Sequence, residues 1–511
     1  MSDMYRGMHR MRALDVTAVG ACVAVLSACS GPRVVTTPPP IPAPTAAPTP
    51  VATVDLTKPP TLGAPPSLRA PQISTRELAN GLRIVVLEQH ELPLADVILQ
   101  VRSGGESDPA GRMGTAALVA AMLTEGTTNR TSLQIADQAA YLGIQLNASS
   151  GWEQSNVALH APTAQLDSAL ALFSDVVLRP NFPSADLERV RKVRLTSLQQ
   201  LRDRAPAIAD RAFASAVFGE QHPYGRPLAG TEGSLAAITR DDVQRFYTTY
   251  YRPNNATLLV VGDVRPDDVE RRARELFGAW ARGTVPTPAT GTSTIPKGTT
   301  VVLVDKPGAA QTSFRIGGIG APRSTSDYFP LQVMNTILGG AYTSRLNHNL
   351  RETHGYTYGA SSGFGLRRSA GPFIASAEVV TAKTDSALSE FLKELRAIRD
   401  TVPSDELAKA KRYLQLGLPS TLETTQGIAS EFLPLIAYGI PLDFFASAVQ
   451  RYGAVTQADV QRVARQYVNP DKLTIVLVGD RKVIEPGIRA LKPGEIVTRD
   501  IRDVLGAPPT P

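Results

Sequence analysis

DVQRFYTTYYRPNNATLLVVGD, from Asp242 to Asp263, returns as DVQRVARQYVNPDKLTIVLVGD, from Asp459 to Asp480. The offset is 217 residues from one Asp to the other, and the landmarks keep their places: Pro253 and Pro470 stand eleven residues in, Gly262 and Gly479 twenty. Each copy reads as a polar-faced helix stopped by proline, followed by a strand of β-branched and apolar residues ending at Gly-Asp. Near the other end of the repeat, Val85-Val86-Leu87 matches Val301-Val302-Leu303. Constant spacing over such a length implies a duplicated unit.

Working outward, each copy opens with strands, such as Arg83 to Leu87 and Ala95 to Val101, and continues with helical patterns at Thr131 to Leu142, Gln165 to Leu178 and Asp186 to Leu201. Strands mixed with helix pairs, without a strict βαβ rhythm, predict an α+β fold of two homologous domains, each an antiparallel sheet covered by helices. The predicted bounds are 73–282 and 299–495, with a Thr/Pro/Gly-rich linker at 283–298 and a tail at 496–511.

The remaining composition narrows the class. Of 511 residues, 43% are hydrophobic and 20% charged, which excludes a wholly disordered or fibrous chain. Lys plus Arg number 53 against 47 Asp plus Glu, a net charge of +6 with no long basic run, so no nucleic-acid partner is predicted. The densest basic stretch, Arg189, Arg191, Lys192, Arg194, Arg202 and Arg204, reads as the wet face of a helix. Both cysteines, Cys22 and Cys29, fall in the first thirty residues, which excludes a disulfide framework or cysteine metal site beyond them.

The N-terminus has the grammar of an export signal. Arg6, Arg10 and Arg12 precede an apolar run from Val16 to Leu26, too short to span a bilayer, and Leu26-Ser27-Ala28-Cys29 resembles a bacterial lipobox. A signal peptide at 1–28 with Cys29 lipidated is expected. Twelve prolines between Gly31 and Ala70 then favour an extended tether over 29–72. The expected location is the bacterial cell envelope, lipid-anchored at the periplasmic face of the outer membrane.

Further motifs carry a resemblance. Leu92 to Gly105 (LPLADVILQVRSGG), His222 to Gly225 (HPYG), Leu338 to Leu346 (LGGAYTSRL) and Leu350 to Tyr358 (LRETHGYTY), in this order and spacing, resemble the insulinase/pitrilysin metallopeptidases, particularly the processing-peptidase type with two homologous domains per subunit. Active members bear H-x-x-E-H on a helix of the first domain: the histidines at i and i+4 share a face and hold zinc, and the glutamate is the general base. A glutamate about 75 residues onward is the third ligand in that family. Here the matching helix reads GTAALVAAMLTEGT, Gly114 to Thr127. Alignment puts Ala117, Ala120 and Ala121 at the His, Glu and His positions, and Thr196-Ser197-Leu198 in the distal window. Alanine has no lone pair, and zinc needs N, O or S donors at about 2.0–2.3 Å. No metal and no cofactor is therefore expected in this chain. Glu125 reads as a helix-end residue, His160 as core or strand surface, and His222 as a turn residue.

The second domain keeps what the resemblance leads one to look for. In that family an arginine and a tyrosine in L-R-x-x-x-G-x-x-Y complete the site, holding the substrate backbone and the oxyanion. Arg351, Gly355 and Tyr358 fit the pattern. The resemblance thus implies the zinc-free subunit of a heterodimeric zinc metalloendopeptidase: Arg351 and Tyr358 act with a homologous partner that carries H-x-x-E-H and the zinc, on a peptide or unfolded protein. Two other readings stand beside it, a stand-alone peptide-binding or scaffold lipoprotein, and an enzyme with unrecognised ligands.

Overall fold

Three strands of the first half are buried along nearly their whole length, and three of the second half repeat them, so each sheet has two covered faces rather than one. The structure, a computed structural model, describes residues 63, 71–288, 291 and 297–507. The expected signal peptide, Cys29, nearly all of the tether and part of the linker lie outside the described residues.

β1 (Ile73–Glu77), β2 (Arg83–Glu88), β3 (Leu94–Val101), β4 (Gln145–Ser150), β5 (Ser155–Pro162) and β6 (Ala256–Gly262) form one six-stranded sheet in the order β1-β2-β6-β3-β5-β4. β7 (Thr300–Asp305), β8 (Gln311–Ile319), β9 (Thr357–Phe364), β10 (Pro372–Val380), β11 (Thr474–Gly479) and β12 (Glu495–Arg499) form the other, in the order β12-β7-β11-β8-β10-β9. The duplication is therefore structural, with β6 and β11 in equivalent places. Most pairings are antiparallel as expected, but β2–β6, β7–β11 and β12–β7 run parallel, so both sheets are mixed. β2 and β6 are joined by most of the first half, and β7 and β11 by most of the second. Such long crossovers through helices permit parallel pairing. The outer edges differ: β1 precedes its unit and pairs antiparallel to β2, whereas β12 follows its unit and pairs parallel to β7. Residues 496–499, set apart in the sequence as the start of a tail, thus belong to the edge strand of the second sheet.

Seven helices matter below: α1 (Thr115–Met122), α2 (Ser184–Leu201), α3 (Ala205–Phe218), α4 (Arg240–Tyr250), α5 (Thr425–Tyr438), α6 (Gln457–Tyr467) and α7 (Ile501–Leu505). The repeat that identified the fold has a local cause at each landmark. Its leading Asp closes a capping box in both copies. Thr239 N–H donates to Asp242 at 2.9 Å and Asp242 N–H to the Thr239 hydroxyl at 3.1 Å, while Thr456 and Asp459 do the same at 3.0 and 3.1 Å. Its closing glycine sits where a neighbouring strand comes too near for a side chain. A Cβ on Gly262 would stand 2.2 Å from Leu94 O, and one on Gly479 2.6 Å from the Thr312 hydroxyl.

The second face of each sheet is covered by the other half. Ile84, Val86, Leu99, Leu258 and Val260 pack under helices of their own half. Val85, Leu87, Ile98, Leu259 and Val261 belong instead to the core of the second half, beneath α5, whose Phe432, Leu435 and Ile428 are buried there. Reciprocally, Val302, Val304, Val476 and Val478 of the second sheet lie under Ile208, Phe213 and Val217 of α3. The two covering helices are themselves repeat-equivalent, starting at Ala205 and Thr425. Polar ties cross the same seam: Gln100 donates to Leu433 O at 3.3 Å, and Arg315 meets Asp210 at 2.6 Å. Among the described residues no helix is long and apolar enough to cross a membrane.

This exchange makes the halves one cooperative unit. Phe432→Ala, in the second half, should cost about 3–5 kcal/mol by opening a cavity under the first sheet. Both tryptophans, Trp152 and Trp280, lie in the first half. Urea unfolding followed by their fluorescence should therefore shift together with far-ultraviolet circular dichroism. A fluorescence transition unmoved by the substitution would show that the halves unfold independently.

Candidate functional site

α1 keeps the shape of a zinc helix without its donors. Its N-terminus is held by the buried Asp108, which accepts from Gly114 N–H at 2.6 Å and Ala116 N–H at 2.7 Å. Burial, opposed by these bonds, pushes the Asp108 carboxyl up to about 7. Ala117 and Ala121 are half-buried and, four residues apart, share a face; Ala120 is 1% exposed. The distal window, Thr196-Ser197-Leu198, lies on α2 alongside. What reaches α1 from α2 is a cation: Arg194 donates to Ala117 O at 2.7 Å, and burial lowers the pKa of its guanidinium. Among the described residues no group of three His, Cys, Asp or Glu is placed to hold a metal. With methyl groups at three positions and a guanidinium at the fourth side, this donor set does not fit zinc.

The basic stretch of α2 is only partly a wet face. Leu187, Val190, Leu198 and Leu201 mark its inner stripe, and Arg191 and Arg194 fall within it. Arg191 is 9% exposed and donates to Leu235 O and, at 2.7 Å, to Ile238 O; Arg202 holds Glu232 with contacts of 2.9 Å. Arg189, Lys192 and Arg204 are exposed. Sequence reading missed Arg194 as a site residue, although the spacing of the four leucine and valine positions puts it on the buried side.

Arg351 and Tyr358 stand on two irregular pieces of backbone. Arg351 lies in the π-helical turn His348–Thr353. That turn ends at Gly355, whose φ of 64° is left-handed and whose N–H donates to Arg351 O at 3.1 Å. A Cβ there would meet nothing within 4 Å, so the motif's glycine answers a conformational demand, not a steric one. Tyr358 sits on β9, an edge strand, where the register against β10 shifts between Ala360↔Ala377 and Thr357↔Val379. Tyr358 and Gly359 together oppose Glu378, which is a β-bulge. The Thr357 hydroxyl fastens it, donating to Glu378 O at 2.8 Å and accepting from Gly359 N–H at 3.1 Å. Tyr358 is consequently 91% exposed, while Tyr356, just ahead of the strand, stacks on His354 and packs against the core. Arg351 is partly exposed, with its guanidinium 4.7 Å above the Tyr342 ring and 3.4 Å from Glu352. Both side chains present polar groups to solvent. Their main packing partners lie in the second half, away from α1.

The remaining candidates are structural. Glu125 ends the short turn after α1 and pairs with Arg189. His160 on β5 bonds Asp96 at 3.0 Å. His222 is a buried turn residue whose Nδ1 accepts from Tyr224 N–H at 3.0 Å; burial and the nearby Arg367 and Arg226 lower its pKa. The HPYG turn in fact anchors the seam: Tyr224 donates to Glu153, and Glu153 accepts from Arg368 N–H at 3.0 Å, on a loop from the second half.

Restoring histidines at positions 117 and 121 should therefore not create a stoichiometric zinc site. The distal carboxylate is missing, Arg194 opposes a dication, and a glutamate at the enclosed position 120 would bury a charge. Metal analysis of Ala117→His/Ala121→His after dialysis should find well under one zinc per chain. One tightly held zinc would show that the scaffold still supplies a third ligand.

Comparison with known proteins agrees with this anatomy. The insulinase (peptidase family M16) family model matches residues 83–232, and that of the peptidase M16 inactive domain matches residues 237–414. An uncharacterised zinc protease of Mycobacterium bovis is 31% identical over 359 residues, covering 69% of this chain and 81% of that protein. The non-peptidase homolog YmxG of Helicobacter pylori is 23% identical over 417 residues, covering 80% and 94%. The solved structure of a peptidase M16 inactive domain from Pseudomonas fluorescens is similar with a TM-score of 0.75 at 26% identity, covering 80% of this chain and 98% of that one. Two duplicated mixed sheets, a zinc helix emptied of donors and these likenesses lead to one assignment: the chain belongs to the insulinase family, peptidase family M16, as a member of its zinc-free type.

Proposed function

We propose that this chain is the non-catalytic subunit of a heterodimeric zinc metalloendopeptidase, lending Arg351, Tyr358 and half of a substrate chamber to a homologous subunit that carries H-x-x-E-H. The observation that carries this reading is the bulge under Tyr358. A phenol 91% exposed on an edge strand, aimed outward by an extra residue, has no packing role in its own chain. Arg351 brings a permanent cation with five donors and Tyr358 a neutral donor, suited to a peptide backbone and a developing oxyanion. The metal chemistry belongs to the partner. The name of the Helicobacter pylori relative, a non-peptidase homolog, agrees with a chain that cleaves nothing alone.

The test is reconstitution with a homologue bearing the intact motif. Arg351→Ala or Tyr358→Phe in this chain should lower kcat of the pair by about a hundred- to a thousand-fold, the cost of one preorganised oxyanion donor, with the partner's zinc retained. Tyr356→Phe, in the packed neighbour, should be nearly silent. Parental turnover in both site variants would leave the stand-alone peptide-binding or scaffold reading in the lead.

The same proposal places the protein at the bacterial cell envelope, anchored by a lipid on Cys29 at the periplasmic face of the outer membrane. Cys29→Ala should move it from the membrane fraction to the soluble one with its unfolding midpoint unchanged. Equal partitioning of variant and parent would remove the anchor from the proposal.

A further inference from the structure

The space beside the degenerate helix has a chemistry of its own. A cavity of about 560 Å³ lies along α1 and α2, walled by Ala121, Val193 and Leu198. Three guanidinium groups line it, from Arg189, Arg194 and Arg204, against a single carboxylate, Glu125. That carboxylate is taken: Glu125 pairs with Arg189, which also holds Asp186 at 3.1 Å. Arg194 has five N–H donors and uses one of them on Ala117 O. Arg204 stands exposed where α2 gives way to α3. Desolvating a guanidinium without an acidic partner is costly, and an entering anion would offset that cost.

A second cavity adjoins it. Leu198, Leu201 and Ala229 also wall this one, of about 280 Å³, which runs under α7 to Leu228 and Val504. Four charged groups line this second cavity and each is held: Asp210 by Arg315, Glu232 by Arg202, Arg211 on Gly225 O, and Arg226 on Glu220 O and Gln221 O. A cationic chamber thus opens beside an apolar one, with a common wall.

We propose that these two adjacent cavities bind the free C-terminus of a peptide, its carboxylate on Arg194 and Arg204 and an apolar last side chain in the neighbouring chamber. Ala121 makes the room: the last of the three alanine positions becomes part of the floor of an anion site. This goes beyond the partnership above, since it is a property of this chain by itself and uses neither Arg351 nor Tyr358.

Isothermal titration of the full chain, with no partner present, tests it. The probes are a tetrapeptide ending in leucine with a free carboxylate, the same peptide as its C-terminal amide, and octanoate. The free acid should bind at least about tenfold more tightly than the amide, the worth of one charge-assisted hydrogen bond, and less tightly as salt rises. Arg204→Gln, at an exposed position, should weaken the acid severalfold without moving the thermal midpoint, and Ala121→Leu should do so by filling the floor. Equal binding of acid and amide, no binding of the acid at millimolar concentration, or binding of octanoate without the peptide would each overturn the proposal. None of these outcomes bears on turnover by a reconstituted pair, so the two proposals stand or fall separately.

Discussion

Every strand near the middle of both sheets is buried on both faces, and each half supplies helices for only one of them. That shortfall governs the rest of the molecule. The second face must be met by something, and what meets it is α5 on the first sheet and α3 on the second, equivalent helices exchanged between duplicated units. The burial is worth roughly 25 cal/mol per Å² of apolar surface, a term large enough to bind two domains into one unit. Of the polar groups that cross the seam, Arg315 is the well-supplied one. Arg315 enters a nearly closed space and finds Asp210 and Glu378 there, at 2.6 and 3.2 Å. A buried guanidinium without them would cost several kcal/mol.

The same architecture accounts for the form of α1, which carries alanines at 117, 120 and 121. Most of what holds α1 in place lies outside the small side chains at 117, 120 and 121, although Ala120 is buried and Ala121 packs against the core. Its start is fastened by Asp108, its inner face by Leu118, Val119 and Met122, and its carbonyl at 117 by Arg194. Alanine is the substitution that disturbs the helix least, having the best intrinsic propensity and no polar group to satisfy.

Legibility followed locality. The Asp of each capping box, the proline that stops each helix and the glycine under each close approach act within a few residues or against the adjacent strand, so the repeat from Asp242 and from Asp459 could be read directly. β12 could not. Its EIVTR is a short, half-exposed edge segment, and only the vacant flank of β7 makes it a strand. Arg191 and Arg194 were read as solvated because arginine usually is. Their burial depends on carbonyls at Leu235, Ile238 and Ala117, contributed by distant segments. The spacing of Arg351, Gly355 and Tyr358 was visible, but its cause was not. The bulge at Tyr358 arises from pairing with β10, a partner the motif itself does not contain.

That bulge and the turn before it point to where constraint has been retained. An α-helix opened to π geometry at Arg351, a left-handed Gly355 and an extra residue at Tyr358 are three departures from regular backbone within eleven residues. Each is less favourable than its regular counterpart and persists only where the surroundings hold it, here through the Thr357 hydroxyl and the Asn347 side chain, which accepts from Ala360 N–H at 3.1 Å. α1 has relaxed in the opposite direction, to a plain alanine-rich helix. A fold under selection for stability alone would be free to regularise both places. α1 is regular where it bears alanines, and the backbone is irregular where Arg351 and Tyr358 present their polar groups to solvent.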